Sequence, residues 1–138
     1  MQFIVGALAF LIAFGIVWAI SKRIHQAGHN LVKKRVGENP ENLRHQIWIH
    51  LGGPLINLLC VVPFITGFLL MHFLVMVPTG GVFGPPFLVY LVLMAGAPAN
   101  FLMAVIYMIP IGEKSDGKRI RDAVREKRQA EEVKADTN

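Results

Sequence analysis

Two histidines just after an apolar segment are the residues of this sequence best suited to chemistry. They are four positions apart, in the segment His25-Gln26-Ala27-Gly28-His29. On a helix this spacing places both imidazoles on one face, one turn apart, where together they can bind a single zinc ion. Two polar residues that cap a membrane helix near the lipid headgroups are the ordinary alternative. The pair is therefore a candidate for two metal ligands.

A metal site that keeps one position open for water needs a third protein ligand. The candidate is Asp116, which follows the third apolar segment and belongs to the dipeptide Asp116-Gly117. An Asp-Gly pair commonly forms a turn, and Glu113 is a competing carboxylate ligand. The hypothesis is a site made by His25, His29 and Asp116, with zinc favoured by the ligand types.

The elements that must position these ligands follow from how charge is distributed. Of all residues 54% are apolar and 17% are charged, and no Asp, Glu, Lys or Arg occurs in 1–21 or 46–112. A lipid bilayer selects long uncharged segments, because hydrocarbon does not solvate charge. The net charge of +5 comes from basic residues that flank these segments. Contact with anionic headgroups explains them better than nucleic acid, for which no motif is present.

Three apolar segments are long enough to cross a bilayer. The first is Phe3–Ile20 and the third is Phe87–Ile109. Between them, the uncharged run Ile47–Val77 would rise about 46 Å as one straight helix, well beyond a hydrocarbon core of about 30 Å. A break is expected at Gly52-Gly53-Pro54, so that the second span is Pro54–Val77. The fold class is all-α, a polytopic bundle of about three transmembrane helices.

The remaining segments connect or follow these spans. Turn-forming residues occur at Gly37–Pro40 and Pro78–Pro86. The composition of Lys118–Lys134 predicts a solvated helix at the membrane surface. The chain is thus divided into a transmembrane core, 1–117, and a charged tail, 118–138. The positive-inside rule predicts that both charged blocks are cytoplasmic and that the N-terminus lies outside.

Taken in order, these motifs resemble the site-2 protease family of intramembrane zinc metalloproteases. His25 and His29 match the two histidines of the family's H-E-x-x-H, at the end of an apolar helix. The segment Leu51–Asn57 is similar to its Gly-rich central element, and Pro110 with Asp116-Gly117 is similar to its final Asn-x-x-Pro to Asp-Gly motif. The resemblance implies a zinc centre held by the three candidate ligands. It also implies cleavage of transmembrane segments of other proteins near the cytoplasmic face.

One departure from the family concerns the general base. Gln26 stands where the family has the Glu of H-E-x-x-H, which takes a proton from the zinc-bound water. A neutral amide accepts no proton at working pH, and general-base catalysis contributes about 10²–10⁴-fold. The chain is therefore expected to be inactive or nearly so as a peptidase. Both a natural non-catalytic relative and an introduced substitution are compatible with this Gln.

A second departure concerns substrate binding. The family's Asn three residues before the final Pro is replaced by Tyr107. Asn100, about two turns earlier, is a candidate substitute. The Asn of the central element corresponds to Asn57. The resemblance thus assigns Asn57 and Asn100 to substrate binding.

Two other classes of function stay open. A non-catalytic relative would bind a transmembrane partner and use the metal to join helices. A small structural subunit of a membrane complex would carry the His pair only as interfacial residues. Of the other histidines, His45 and His50 are assigned to interfacial contacts, and His72 to a hydrogen bond with a neighbouring helix.

Overall fold

The computed structural model describes residues 2–37, 42–78 and 85–136. Within these ranges the chain forms helices and no strand, which confirms the all-α prediction. A π-helical turn, His72–Met76, extends the second of four helices. The helices are α1 (Gln2–Val36), α2 (Leu43–Met71), α3 (Pro85–Met108) and α4 (Asp116–Asp136).

Three of these helices are long and apolar enough to cross a membrane. The segments are Ile4–Val36 with 33 residues, Leu43–Met76 with 34 and Pro86–Met108 with 23. Their outward faces carry exposed large apolar side chains, such as Leu59 and Leu74. A water-soluble fold buries most of such surface. The predicted bundle of about three membrane-length helices is confirmed.

The first helix continues well past its apolar part, which brings the His pair into the bundle. It ends where Gly37 adopts a φ of 80°, a left-handed conformation that a glycine reaches without strain. The amide N–H of Gly37 donates to the carbonyl of Lys33 at 3.0 Å. Of the predicted turn at 37–40, only this glycine is described, and most of the predicted loop at 78–86 also lies outside the described residues.

The expected break in the second span is wrong, because α2 runs unbroken from Leu43 to Met71. Pro54 removes one backbone donor, but the helix around it packs tightly on α1. A Cβ on Gly52 would lie 2.7 Å from the carbonyl oxygen of Gly28, and a Cβ on Gly28 would overlap the Gly52 carbonyl. Small residues let the two backbones approach closely. This contact lies where the break was expected, and it places the polar end of α2 beside the His pair.

The tail helix begins two residues earlier than predicted, at Asp116 rather than Lys118. Ser115 caps it, since its Oγ accepts from the amide of Lys118 at 3.3 Å. The Asp116-Gly117 pair therefore forms the first turn of α4 and not an isolated turn. The predicted division at 117/118 falls inside this helix. Its first turn carries the candidate ligand back to the bundle.

Candidate metal centre

The structure brings the three predicted ligands together. Nε2 of His25 lies 3.0 Å from Oδ2 of Asp116 and 3.1 Å from Nε2 of His29. The third side, from Nε2 of His29 to Oδ2 of Asp116, measures 3.3 Å. We call these three atoms the ligand triangle. Ligands about 2.0–2.1 Å from one tetrahedral zinc ion lie about 3.3 Å apart, so the triangle has the size that a single ion requires.

Within the described ranges, these three side chains are the ones whose ligand atoms converge. Glu113, the competing carboxylate, lies exposed on the turn before α4. His25 and Asp116 are buried, with relative exposures of 3% and 4%. Burial by itself would raise the pKa of Asp116, but hydrogen bonds from His25, His29 and His50 lower it well below its ordinary range. The carboxylate is thus ionised and able to bind a cation.

The orientation of His29 is set by the backbone of α2. Its Nδ1 lies 2.6 Å from the carbonyl oxygen of Ile49. A carbonyl oxygen only accepts, so Nδ1 carries a proton, and Nε2 is the ring atom that can bind an ion once it has given up its own proton. Metal-binding histidines commonly donate their second ring N–H in this way.

A buried amide faces His25 on the opposite side of its ring. Nδ2 of Asn57 lies 3.2 Å from Nδ1 of His25, and this Asn is fully buried. Its Oδ1 has no hydrogen-bond partner. If Nε2 of His25 bound a metal, the ring proton would move to Nδ1, and a half-turn of the amide would let Oδ1 accept it. The unpartnered oxygen is therefore compatible with a metal-bound His25. The predicted role of Asn57 in substrate binding stays a prediction.

A glycine of α2 lies directly against the two candidate ligand nitrogens. A Cβ on Gly53 would lie 2.5 Å from Nε2 of His29 and 2.6 Å from Nε2 of His25. Any larger residue would press on both ligand nitrogens. Gly53 therefore allows both imidazoles to pack against α2 in this position.

The third helix contributes packing to the site. The ring of Tyr107 lies 4.2 Å from that of His25, centroid to centroid, with a tilt of 38°. Tyr107 thus packs against the imidazole of His25. Asn100 is fully buried, and its Nδ2 donates to the carbonyl of Gly96 at 2.9 Å. Its Oδ1 has no partner, and its predicted role in substrate binding stays a prediction.

The ligand triangle opens into a pocket of about 730 Å³. Gln26 is exposed and lines this pocket beside His29 and Asp116. Among the described residues that line it, Asp116 is the one acidic residue, and five are basic: Lys22, Arg23, Lys33, Lys114 and Arg119. The candidate centre is therefore reachable from the polar end of the bundle.

One residue at the site was assigned elsewhere from the sequence. His50 was expected to make interfacial contacts, but its Nδ1 lies 3.5 Å from Oδ1 of Asp116. Positions 50, 53 and 57 follow one another by three and four residues, so on a helix they share a face. That spacing was the sequence signal that could have placed His50 at the site together with Gly53 and Asn57. His72, by contrast, makes the expected interhelical hydrogen bond, since Tyr90 Oη lies 3.3 Å from its Nδ1.

Comparison of the chain with protein-family models, curated proteins and solved structures found no match. What the fold itself defines is an all-helical chain with three membrane-length helices. A candidate three-ligand metal centre lies at one end of this bundle.

Proposed function

We propose that this chain is a multi-pass membrane protein that binds zinc through His25, His29 and Asp116. The observation that carries the proposal is the ligand triangle, whose sides measure 3.0, 3.1 and 3.3 Å. Its atoms come from α1 and from the first turn of α4. Two imidazoles and a carboxylate with a fourth position open are typical of catalytic zinc sites.

The class of function that we propose is that of a site-2-protease-like intramembrane metallopeptidase acting on transmembrane segments of other proteins. Zinc, when bound, would polarise a peptide carbonyl and lower the pKa of a water molecule. The site is surrounded by basic residues at the polar end of the bundle. By the positive-inside rule this end faces the cytoplasm, so cleavage would occur near the cytoplasmic side of the bilayer.

Gln26 makes the chain inactive or nearly so in this proposal. The side chain lines the pocket and carries an amide where a carboxylate would take up a proton. It retains the ability to hydrogen-bond a ligand in the pocket. Substrate recognition and metal binding can therefore persist while hydrolysis is lost.

The second candidate function is a non-catalytic membrane binding protein that keeps the metal centre as a link between helices. Gln26 is the observation that favours it. In this case the zinc would tie α1 to α4, and the partner would be a transmembrane segment that is bound and not cleaved. The two candidates differ in what restoration of a carboxylate achieves.

The metal is tested first, on the purified full chain in detergent micelles. Elemental analysis by mass spectrometry at neutral pH, without chelator, should give about one zinc per chain for one tetrahedral centre. Fewer than about one zinc per ten chains, after incubation with excess zinc and removal of free ion, would contradict a metal centre of this affinity class.

Catalysis is tested with Gln26→Glu and a model transmembrane substrate in liposomes. The substitution should raise cleavage by about 10²-fold or more, because it supplies the proton acceptor. Asn30→Asp is the matched control, since Asn30 lines the same pocket on the same helix and gains the same charge. No gain from Gln26→Glu, with zinc bound, would reject the peptidase and leave the binding protein.

A further inference from the structure

The second oxygen of the candidate carboxylate ligand has its own partner. Oδ2 of Asp116 belongs to the ligand triangle, whereas Oδ1 lies 3.5 Å from Nδ1 of His50. One oxygen of the Asp116 carboxylate thus contacts the imidazoles of α1, and the other contacts an imidazole of α2. We propose that His50 is a positioning residue that restricts Asp116 to coordinating the metal through one oxygen. This inference rests on the metal centre proposed above.

The division matters because a carboxylate can bind a metal through one oxygen or through both. With both oxygens of Asp116 engaged, a site with two imidazoles already has four donor atoms. With Oδ1 held by His50, only three donors come from the protein. A tetrahedral zinc then keeps one position for water or a substrate carbonyl.

The placement of His50 makes this restraint effective. Its side chain has a relative exposure of 20%, and that of Asp116 has 5%, so water competes weakly for the contact. The preceding carbonyl, of Ile49, accepts from His29. Ile49 and His50, consecutive residues of α2, thus contact two different candidate ligands. Together with Gly53 and Asn57 they form one face of α2 that borders the site and contributes no ligand of its own.

Coordination by His50 itself is the competing geometry. Its Nδ1 faces Oδ1, the carboxylate oxygen outside the ligand triangle. Its ring centroid lies 6.3 Å from that of His29, compared with 4.7 Å between His25 and His29. The geometry points to a contact with the carboxylate and not with the ion. A zinc X-ray absorption spectrum with three imidazole ligands would instead show that His50 coordinates the ion.

The test compares His50→Phe, which keeps a ring but donates no hydrogen bond, with His50→Gln, whose amide can donate. His45→Phe is the matched control, because His45 lies on the same helix and its buried Nδ1 has no partner. Each full chain is titrated with Co²⁺ in detergent, and affinity and the visible absorption per bound ion are recorded. Tetrahedral Co²⁺ absorbs more strongly than Co²⁺ of higher coordination number.

His50→Phe should lower the affinity about 10-fold or more, as removal of a ligand's partner typically does. It should also weaken the absorption, because Oδ1 then joins the ion beside the bound water as a fifth donor. His50→Gln should restore both, and His45→Phe should match the parent chain. A His50→Phe variant with parental affinity and absorption would overturn the inference. So would an affinity loss with unchanged absorption that His50→Gln fails to restore.

Zinc X-ray absorption of the parent chain tests the same inference without any substitution. Two imidazoles and one carboxylate oxygen in a four-coordinate shell support it, even if His50→Phe fails to fold. A two-oxygen carboxylate or a third imidazole overturns it while leaving the metal centre intact. Absence of Co²⁺ and Zn²⁺ binding by the parent chain would instead reject the proposed centre itself.

Discussion

Oδ2 of Asp116 lies 3.0 Å from Nε2 of His25, although 91 positions separate the two residues in the chain. The contact joins the polar extension of α1 to the first turn of α4, the two charged blocks of the sequence. Both side chains are buried. Such a pair of polar groups is stable away from water only when they bind each other or a shared ion.

Asp116→Asn should abolish stoichiometric zinc binding. The amide keeps the size of the carboxylate but removes the anionic ligand, so zinc affinity should fall by more than about 100-fold, beyond the effect typical of an outer partner. Competition with a zinc-sensitive dye measures the affinity. Asp122→Asn, on an exposed carboxylate of the same helix, should leave it unchanged. Equal affinity in the two variants would show that Asp116 is not a ligand.

Gly53→Ala should eliminate zinc binding while leaving the helices in place. The added Cβ would press on Nε2 of both histidines, whereas alanine favours a helix interior by about 0.5–1 kcal/mol over glycine. Zinc content and helicity by circular dichroism are measured together. Gly15→Ala is the control, because a Cβ there meets no atom within 4 Å. Full zinc content in Gly53→Ala would place the ion elsewhere.

Gly117→Ala should weaken the site by moving the ligand that precedes it. A Cβ on Gly117 would overlap the carbonyl of Met108 at the end of α3. The start of α4 must then shift, with a cost of about 1–3 kcal/mol typical of overpacking and a zinc affinity about tenfold lower. Thermal unfolding and dye competition measure the two effects. Gly112→Ala is the control, because its Cβ would meet no atom within 4 Å, and it should change neither stability nor zinc affinity. Similar behaviour of the two variants would show that the contact of Gly117 with Met108 does not position Asp116.

Zinc affinity should fall steeply on acidification, because protons compete with the ion for the imidazoles and only a neutral imidazole binds metal. With two histidine ligands the loss approaches about 100-fold per pH unit at low pH. Asp116 adds little in this window, since its pKa is already lowered well below the ordinary range. Titrations between pH 7.5 and 5 measure the slope. A pH-independent affinity would show that imidazoles are not the ligands.

Asp116 also gives the fold a pH dependence of its own. Its pKa is lower in the folded chain than in an unfolded one, so its contribution to stability is fully present above about pH 4. It is lost as the pH falls further toward the folded pKa. Unfolding of zinc-free protein from pH 6 to 2 should show this acid loss, and Asp116→Asn should reduce it. An unchanged acid profile in that variant would assign the loss to other groups.

Local patterns were sufficient to predict the membrane-length helices and the His pair. Uncharged apolar runs of bilayer-spanning length predict transmembrane helices, and a spacing of four places His25 and His29 on one face in any helix. The break predicted in α2 was wrong, because whether a helix continues through Gly52-Gly53-Pro54 depends on what packs beside it. Here the residue that packs beside this segment is Gly28 of α1, and no local pattern in α2 predicts that contact.

The sequence by itself determined that charge is confined to two blocks, that the chain is helical, and that two imidazoles share a helix face. Only the tertiary structure decided the distance from those imidazoles to Asp116, the space beside Gly53 and the position of His50 on Oδ1. The physical reason is that side-chain periodicity is a local property of each helix. Distances between helices depend instead on packing, which here is set by the glycines where α1, α2, α3 and α4 meet.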